Sequence, residues 1–333
     1  MPAACLPANW VGGAVVTSDQ PIVANGRPHI GAEVMTYDSF SSGSLTSYLP
    51  MLFKNAYGGS YDSAFYVQNV GAVTAALTIQ YYKTDGTLTC TVTGETVAPL
   101  ASKGYWLPGL SAGCLPDGWV GGVVVTSTQP IVTVGRPHIG AQITTYNGFS
   151  AGGTSSYVPM LFKNAFSGGS YDAALYIQNV DATHTANLTI KYYDLTGTLT
   201  CTVTGETVAP LASNGYWLPG LSAACLPDNW VGGAVVTSDQ PIVTVGRPHI
   251  GAQVTTYDGF TSGSLNSYLP MLFNAAFGGS YNSAFYIQNT EASAANVTTK
   301  FYDNTGVLTC TRNDTLPAFS TLSLWLPSLT CVP

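Results

Sequence analysis

Seven cysteines and three copies of a Gly-Arg-Pro-His tetrad have types and spacing regular enough to do chemistry. Cys90 precedes Cys114 by 24 residues, Cys201 precedes Cys225 by 24, and Cys310 precedes Cys331 by 21. Three such pairs suit one disulfide per repeat in an oxidising compartment. Closing each loop contributes about 3 kcal/mol. The alternative is a set of buried free thiols. Metal binding is not expected, because there is no Cys-x-x-Cys or Cys/His cluster. Cys5 is left over. If Cys310 and Cys331 pair within the chain, the preferred reading, Cys5 is a free thiol; otherwise it links to Cys310 of a neighbour and frees Cys331. The tetrads place Arg27 and His29, Arg136 and His138, and Arg247 and His249 in equivalent positions. They read either as a ligand or partner contact or, as expected, as a strand kink at the proline. In the second case the arginine pairs with a carboxylate such as Asp19 or Asp239. Thr128 holds that acidic position in the middle copy. No acid recurs beside the histidines to build a triad. Glu95 and Glu206 recur, but the third copy has Asn313-Asp314 there. No catalytic residue, metal or cofactor is expected, and the chain reads as structural rather than enzymatic.

The elements that carry these residues repeat three times. Cys5-Leu-Pro-Ala-Asn-Trp-Val-Gly-Gly returns from Cys114 and from Cys225. Tyr48-Leu-Pro-Met-Leu-Phe returns from Tyr157 and Tyr268. The offsets, 109 and 111 residues, are too long for a solenoid unit and fit a whole small β-domain. Leu77, Ile79 and Tyr81 alternate with Thr78, Gln80 and Tyr82, and Leu188, Ile190 and Tyr192 repeat the pattern, as expected of half-buried strands. Thr84-Asp85-Gly86, Leu195-Thr196-Gly197 and Asn304-Thr305-Gly306 read as hairpin turns. The expected fold is all-β: tandem antiparallel immunoglobulin-like β-sandwiches with complementary half-domains at the two termini.

Ser39–Ser47, Gly148–Ser156 and Gly259–Ser267 read as flexible linkers. Cutting there gives the back half of a sandwich at 1–40, whole sandwiches at 48–149 and 157–260, and the front half of a sandwich at 268–333. The trailing half would accept strands donated by the leading half of a neighbour, with Ala14, Val15, Val16, Ile22 and Val23 as the inserted apolar residues. Head-to-tail contacts that do not close produce a homopolymer.

The run Tyr-Leu-Pro-x-x-Phe-Lys-Asn, a Gln-Asn strand, Tyr-Tyr-Asp-x-x-Gly and Val15-Val-Thr-Ser-Asp-Gln-Pro-Ile-Val23 resembles the tandem repeats of large secreted surface proteins of filamentous bacteria. The resemblance spans essentially the whole chain and implies a cell-surface β-sandwich without enzymatic activity. The cysteines and the Gly-Arg-Pro-His element depart from that pattern. A filament or pilus subunit is the expected function. The alternative is a fragment of a longer tandem adhesin or a glycan-binding protein.

The cysteine pairs and the resemblance imply an extracellular, cell-surface location. Hydrophobic residues make up 46% and charged residues 8%, with a net charge of −7 and no basic patch for nucleic acid. No apolar run is long enough for a membrane helix. No leader is legible at Met1–Cys5, so an exported chain is expected to have lost one. Asn187, Asn296 and Asn313 lie in glycosylation sequons. Surface sugars are a possible partner besides the chain itself. Trp106, Trp217 and Trp325 are expected in core or interdomain packing rather than in a sugar site.

Overall fold

The computed structural model describes residues 6–166 and 168–331. The chain is all-β and divides into two compact units, residues 1–151 with 211–213 and residues 152–210 with 214–333. Each unit holds one large curled antiparallel sheet and one incomplete copy of the repeat.

The first sheet is built from β1 (Ser44–Lys54), β2 (Tyr61–Asn69), β3 (Ala75–Lys83), β4 (Leu88–Val97), β5 (Ser102–Trp106) and β6 (Trp119–Ile139). Its order is β4-β3-β6-β2-β5, with β1 also paired to β6. β6, at 21 residues, is the hub. In its first half Val124 faces Tyr48 of β1 on one side and Gln80 of β3 on the other. In its second half it pairs with β2, from Ile131 opposite Asn69 to Ile139 opposite Tyr61. The changeover falls at Ser127-Thr-Gln-Pro130, where the register with β1 jumps between Thr126 and Ile131. Proline has no N–H to give to a ladder, so Pro130 marks the corner rather than a paired position. One strand therefore serves both parts of the sheet and curls it over a shared core. Val123, Val125, Phe53, Phe65, Ile79 and Tyr81 are all fully buried there. A Cβ on Gly121 would lie 2.0 Å from the carbonyl oxygen of Tyr82, so only glycine lets β6 approach β3 at this point.

The second sheet repeats the plan with β7 (Gly153–Lys163), β8 (Tyr171–Asn179), β9 (Ala186–Asp194), β10 (Leu199–Val208), β11 (Ser213–Trp217) and hub β12 (Trp230–Ile250). Its order is β10-β9-β12-β8-β11, with β7 on β12. The turn glycines Gly86, Gly197 and Gly306 all have φ of +86°, the left-handed region that glycine enters without a Cβ penalty.

Two expectations are corrected. The Ser/Gly stretches before Tyr48 and Tyr157 are not free linkers throughout, because Ser44 opens β1 and Gly153 opens β7. The hub gives these residues ladder partners, and Ser47 Oγ lies 2.6 Å from Thr133 Oγ1 in the buried interior. The tryptophans of Trp-Leu-Pro are not core. Trp106, Trp217 and Trp325 are 43%, 41% and 48% exposed, because the short 3-10 turn that follows turns the next residue, Leu107, Leu218 or Leu326, inward instead.

Candidate assembly site

In whole copies the hub residues are deeply buried. In the leading copy they are not. Ala14, Val15, Val16, Ile22 and Val23 match Val123, Val124, Val125, Ile131 and Val132 of the next copy. Val124, Val125 and Ile131 are 4%, 0% and 1% exposed, whereas Val15, Val16 and Ile22 are 60%, 65% and 53% exposed. Val23 is 57% exposed, against 1% for Val243 on hub β12, while Val132 is half-buried. Residues 12–18 have no strand partner.

The leading piece is nonetheless held in place. Its short strands Asn25–Gly26 and Tyr37–Asp38 pair with each other, as do His29–Ile30 and Glu33–Val34. This arm lies in register on its own counterpart one repeat later. Thr145 Oγ1 donates to Thr36 O at 2.8 Å, Asn147 Nδ2 donates to Asp38 O at 2.8 Å, and Gln142 Nε2 donates to Glu33 Oε1 at 3.3 Å. Gly13 sits against the amide of Gln68, so close that a Cβ would lie 2.5 Å from its Nε2.

The trailing copy shows the reciprocal defect. β13 (Ala284–Gln288) pairs with β16 (Thr321–Trp325), and β14 (Ala295–Tyr302) pairs with β15 (Leu308–Leu316). These are two separate two-stranded sheets, and no hub joins them among the described residues. Residues 268–273, the counterpart of β1, form no strand. Leu269 is 49% exposed where Leu49 and Val158 are fully buried. The buried core shrinks to Phe285, Phe301, Cys310, Leu324 and Leu326.

A polar cluster distinguishes the two whole copies from the two terminal pieces. Lys54, 2% exposed, donates to Leu110 O at 2.5 Å and Leu115 O at 2.6 Å. Its Nζ lies 4.0 Å from Asp117, which accepts a 2.7 Å hydrogen bond from Asn55 Nδ2. In the other whole copy Lys163 donates to Leu226 O at 2.7 Å and Asn164 Nδ2 donates to Asp228 at 2.7 Å. In the trailing piece the lysine position is Asn274 and the asparagine position is Ala275, and in the leading piece the aspartate position is Ala8. Three groups that meet in whole copies have changed together on pieces at opposite ends of the chain.

Cys90–Cys114, Cys201–Cys225 and Cys310–Cys331 are disulfides. Cys5 lies outside the described residues.

Among the described residues Arg136 pairs with a tyrosine rather than a carboxylate, which corrects that expectation for the middle copy, and Arg247 makes the same tyrosine contact. Arg136 Nη1 donates to Tyr66 Oη at 2.9 Å and lies over its ring, and Arg247 does the same with Tyr176 at 3.0 Å. Asp239 is engaged instead by Asn187, whose backbone and side-chain nitrogens both donate to it. His138 packs on Trp106 and His249 on Trp217, with ring centroids 5.2 and 5.4 Å apart. Burial, reinforced by the Arg247 charge, pushes the His249 imidazole down to about 4. His138 is lowered by burial first and Arg136 second, with Asp62 opposing. In the leading copy Arg27 and His29 contact each other at 3.1 Å in an exposed arm. Asn296 and Asn313 stand on paired strands as exposed acceptors from Thr315 and Thr298.

Among the described residues no group of His, Cys, Asp and Glu could hold a metal, and no helix is long and apolar enough to cross a membrane. No known protein family and no curated protein matches the chain. Among solved structures it is similar to the crystal structure of Thermotoga maritima 1070, at 18% identity and a TM-score of 0.27 over 32% of this chain and 94% of that one.

Proposed function

We propose that the chain is the structural subunit of an extracellular filament that grows by strand donation. Residues 6–40 of one subunit supply the hub strand that residues 268–331 of the next subunit lack, completing an immunoglobulin-like sandwich. The carrying observation is the complementary defect: a hub exposed at one end of the repeat array and two unjoined hairpins at the other. The coordinated change at Ala8, Asn274 and Ala275 supports the same pairing independently. Backbone ladder bonds supply affinity, and the inward valines fix register. Arg27 and His29 then meet Tyr286 and Trp325, the counterparts of Tyr66 and Trp106. The disulfides fit an oxidising, extracellular setting.

Electron microscopy of the native material, with its intact mass under denaturing conditions, tests this. The expected result is a filament with three similar domains per subunit and an axial repeat of at most roughly 120 Å. It should dissolve to single subunits. Monodisperse monomers refute the proposal. A far longer covalent chain favours a tandem adhesin, in which neighbouring repeats of one polypeptide complete the halves. The half-exposed Trp106, Trp217 and Trp325 favour glycan stacking as a second role. A glycan array on the assembled material tests that role.

A further inference from the structure

Strand donation leaves unexplained a second pair of exposed apolar features, one at each end of the chain. In the second unit the third copy touches the second through a turn. Phe319 stacks on Tyr193 with ring centroids 4.9 Å apart and planes 28° from parallel. Beside it, the 195–197 turn presses on the same loop: a Cβ on Gly197 would lie 2.2 Å from Ala318 O. The contact buries Tyr193 to 7% exposure.

Both halves of this contact recur without a partner. The counterpart of Tyr193 is Tyr302, 57% exposed, and the counterpart of Gly197 is Gly306, which has nothing within 4 Å of its Cβ position. The counterpart of Phe319 is Leu100, 55% exposed. The backbone is already set on both sides. Gly306 and Gly197 share a φ of +86°, and Leu100 at +59° matches Phe319 at +56°. A leucine held in the left-handed region is strained, and that conformation aims the turn outward.

The neighbouring geometry says which chain fills the gap. In the second unit, Gly233 of hub β12 lies against the amide of Gln288, so close that a Cβ would lie 2.9 Å from its Nε2, and equally close to Thr321 Oγ1 beyond the Phe319 turn. In the first unit Gly13 lies against the amide of Gln68, whose Nε2 donates to Leu100 O at 3.3 Å. The donated segment and the Leu100 turn are thus side by side on one subunit, as Gly233 and Phe319 are across two successive copies.

We infer that the joint has a second, apolar contact: the Pro99-Leu100-Ala101 turn of the donating subunit packs on Tyr302 and Gly306 of the accepting subunit. This rests on strand donation, and it makes each joint a continuation of the packing between copies two and three rather than a strand on a swivel.

The test uses the full chain with the photo-crosslinker p-benzoylphenylalanine in place of Thr299 or of Tyr302, in isotopically mixed polymer. Ile79, the counterpart of Thr299, pairs with Val125, the counterpart of Val16. Position 299 therefore reports strand donation, and position 302 reports the turn contact. The expected result is capture of residues 14–18 of a second chain from position 299 and of residues 98–102 from position 302. Leu100→Gly, which keeps the left-handed turn, should raise the concentration needed for polymer by roughly three- to tenfold and abolish only the second capture. Capture from 299 without capture from 302 overturns the turn contact and leaves strand donation standing. No intermolecular capture from either position overturns both.

Discussion

Val16→Ala separates a donated strand from an ordinary surface residue. Val16 is 65% exposed in the subunit, and its counterparts Val125 and Val236 are fully buried in hubs. Removing two carbon groups at about 0.8 kcal/mol each, scaled by the two thirds of the side chain that insertion would cover, costs ~1 kcal/mol of transfer energy. The cavity left in a closed sandwich adds a comparable ~1 kcal/mol. A loss of ~2 kcal/mol per joint corresponds to about a 30-fold rise in the subunit concentration at which half the protein is polymer. Sedimentation of a dilution series measures this directly. The thermal midpoint of the unassembled subunit should stay within about 1 °C of wild type, because Val16 packs on little there. Val125→Ala is the mirror control and should lower that midpoint by several degrees. The reasoning fails if Val16→Ala polymerises within threefold of the wild-type concentration, or if it destabilises the lone subunit as Val125→Ala does.

Gly12 matches Gly121 and Gly232, where a Cβ would collide with the Tyr82 and Tyr193 carbonyls at 2.0 Å, but on the leading piece a Cβ would meet only the Trp10 ring. Gly12→Val should leave the subunit folded by circular dichroism and abolish pelleting of polymer. Asn274→Lys alone should weaken assembly by roughly two- to fivefold, because the ammonium would enter the joint without the exposed carboxylate that stands beside Lys54. Adding Ala8→Asp and Ala275→Asn should recover most of that loss in the same pelleting assay. His249 has a folded pKa of about 4, held below its ordinary value by burial first and Arg247 second. The unfolded chain binds the proton more readily, so this contribution is complete above about pH 6.5 and is lost as pH falls towards 4. The thermal midpoint should drop across that window, and His138→Gln with His249→Gln should flatten the drop.

Periodicity made the strands and turns legible, because Leu77, Ile79 and Tyr81 face inward in the structure as their alternation requires. The cysteine intervals likewise mark the bonded pairs. What local sequence could not carry was the double use of β6. A strand that crosses between parts of the sheet at Pro130 reads as two short strands, because its partners lie far away in the chain. The Arg136–Tyr66 contact was hidden for the same reason: cross-strand pairs depend on register, and register depends on the corner. The exchange of Lys54, Asn55 and Asp117 for Asn274, Ala275 and Ala8 is visible in the aligned repeats, but it acquires meaning only once the first three are known to touch.

The buried lysines bear on how such a chain is made. The hub comes last in its repeat, so β1 to β5 emerge during synthesis before β6 can close over them. For that interval each internal copy resembles the open acceptor, and a finished chain's leading segment could insert into it. The mismatch lies at one point: with Ala8 where Asp117 belongs, Lys54 and Asn55 would lose the carboxylate beside them. A wrongly inserted segment would be held less tightly than the copy's own strand, which follows on the same polypeptide at high effective concentration and would displace it. On the strand-donation reading, the Lys54 and Lys163 clusters would act as address marks that disfavour threading of one newly made subunit into another.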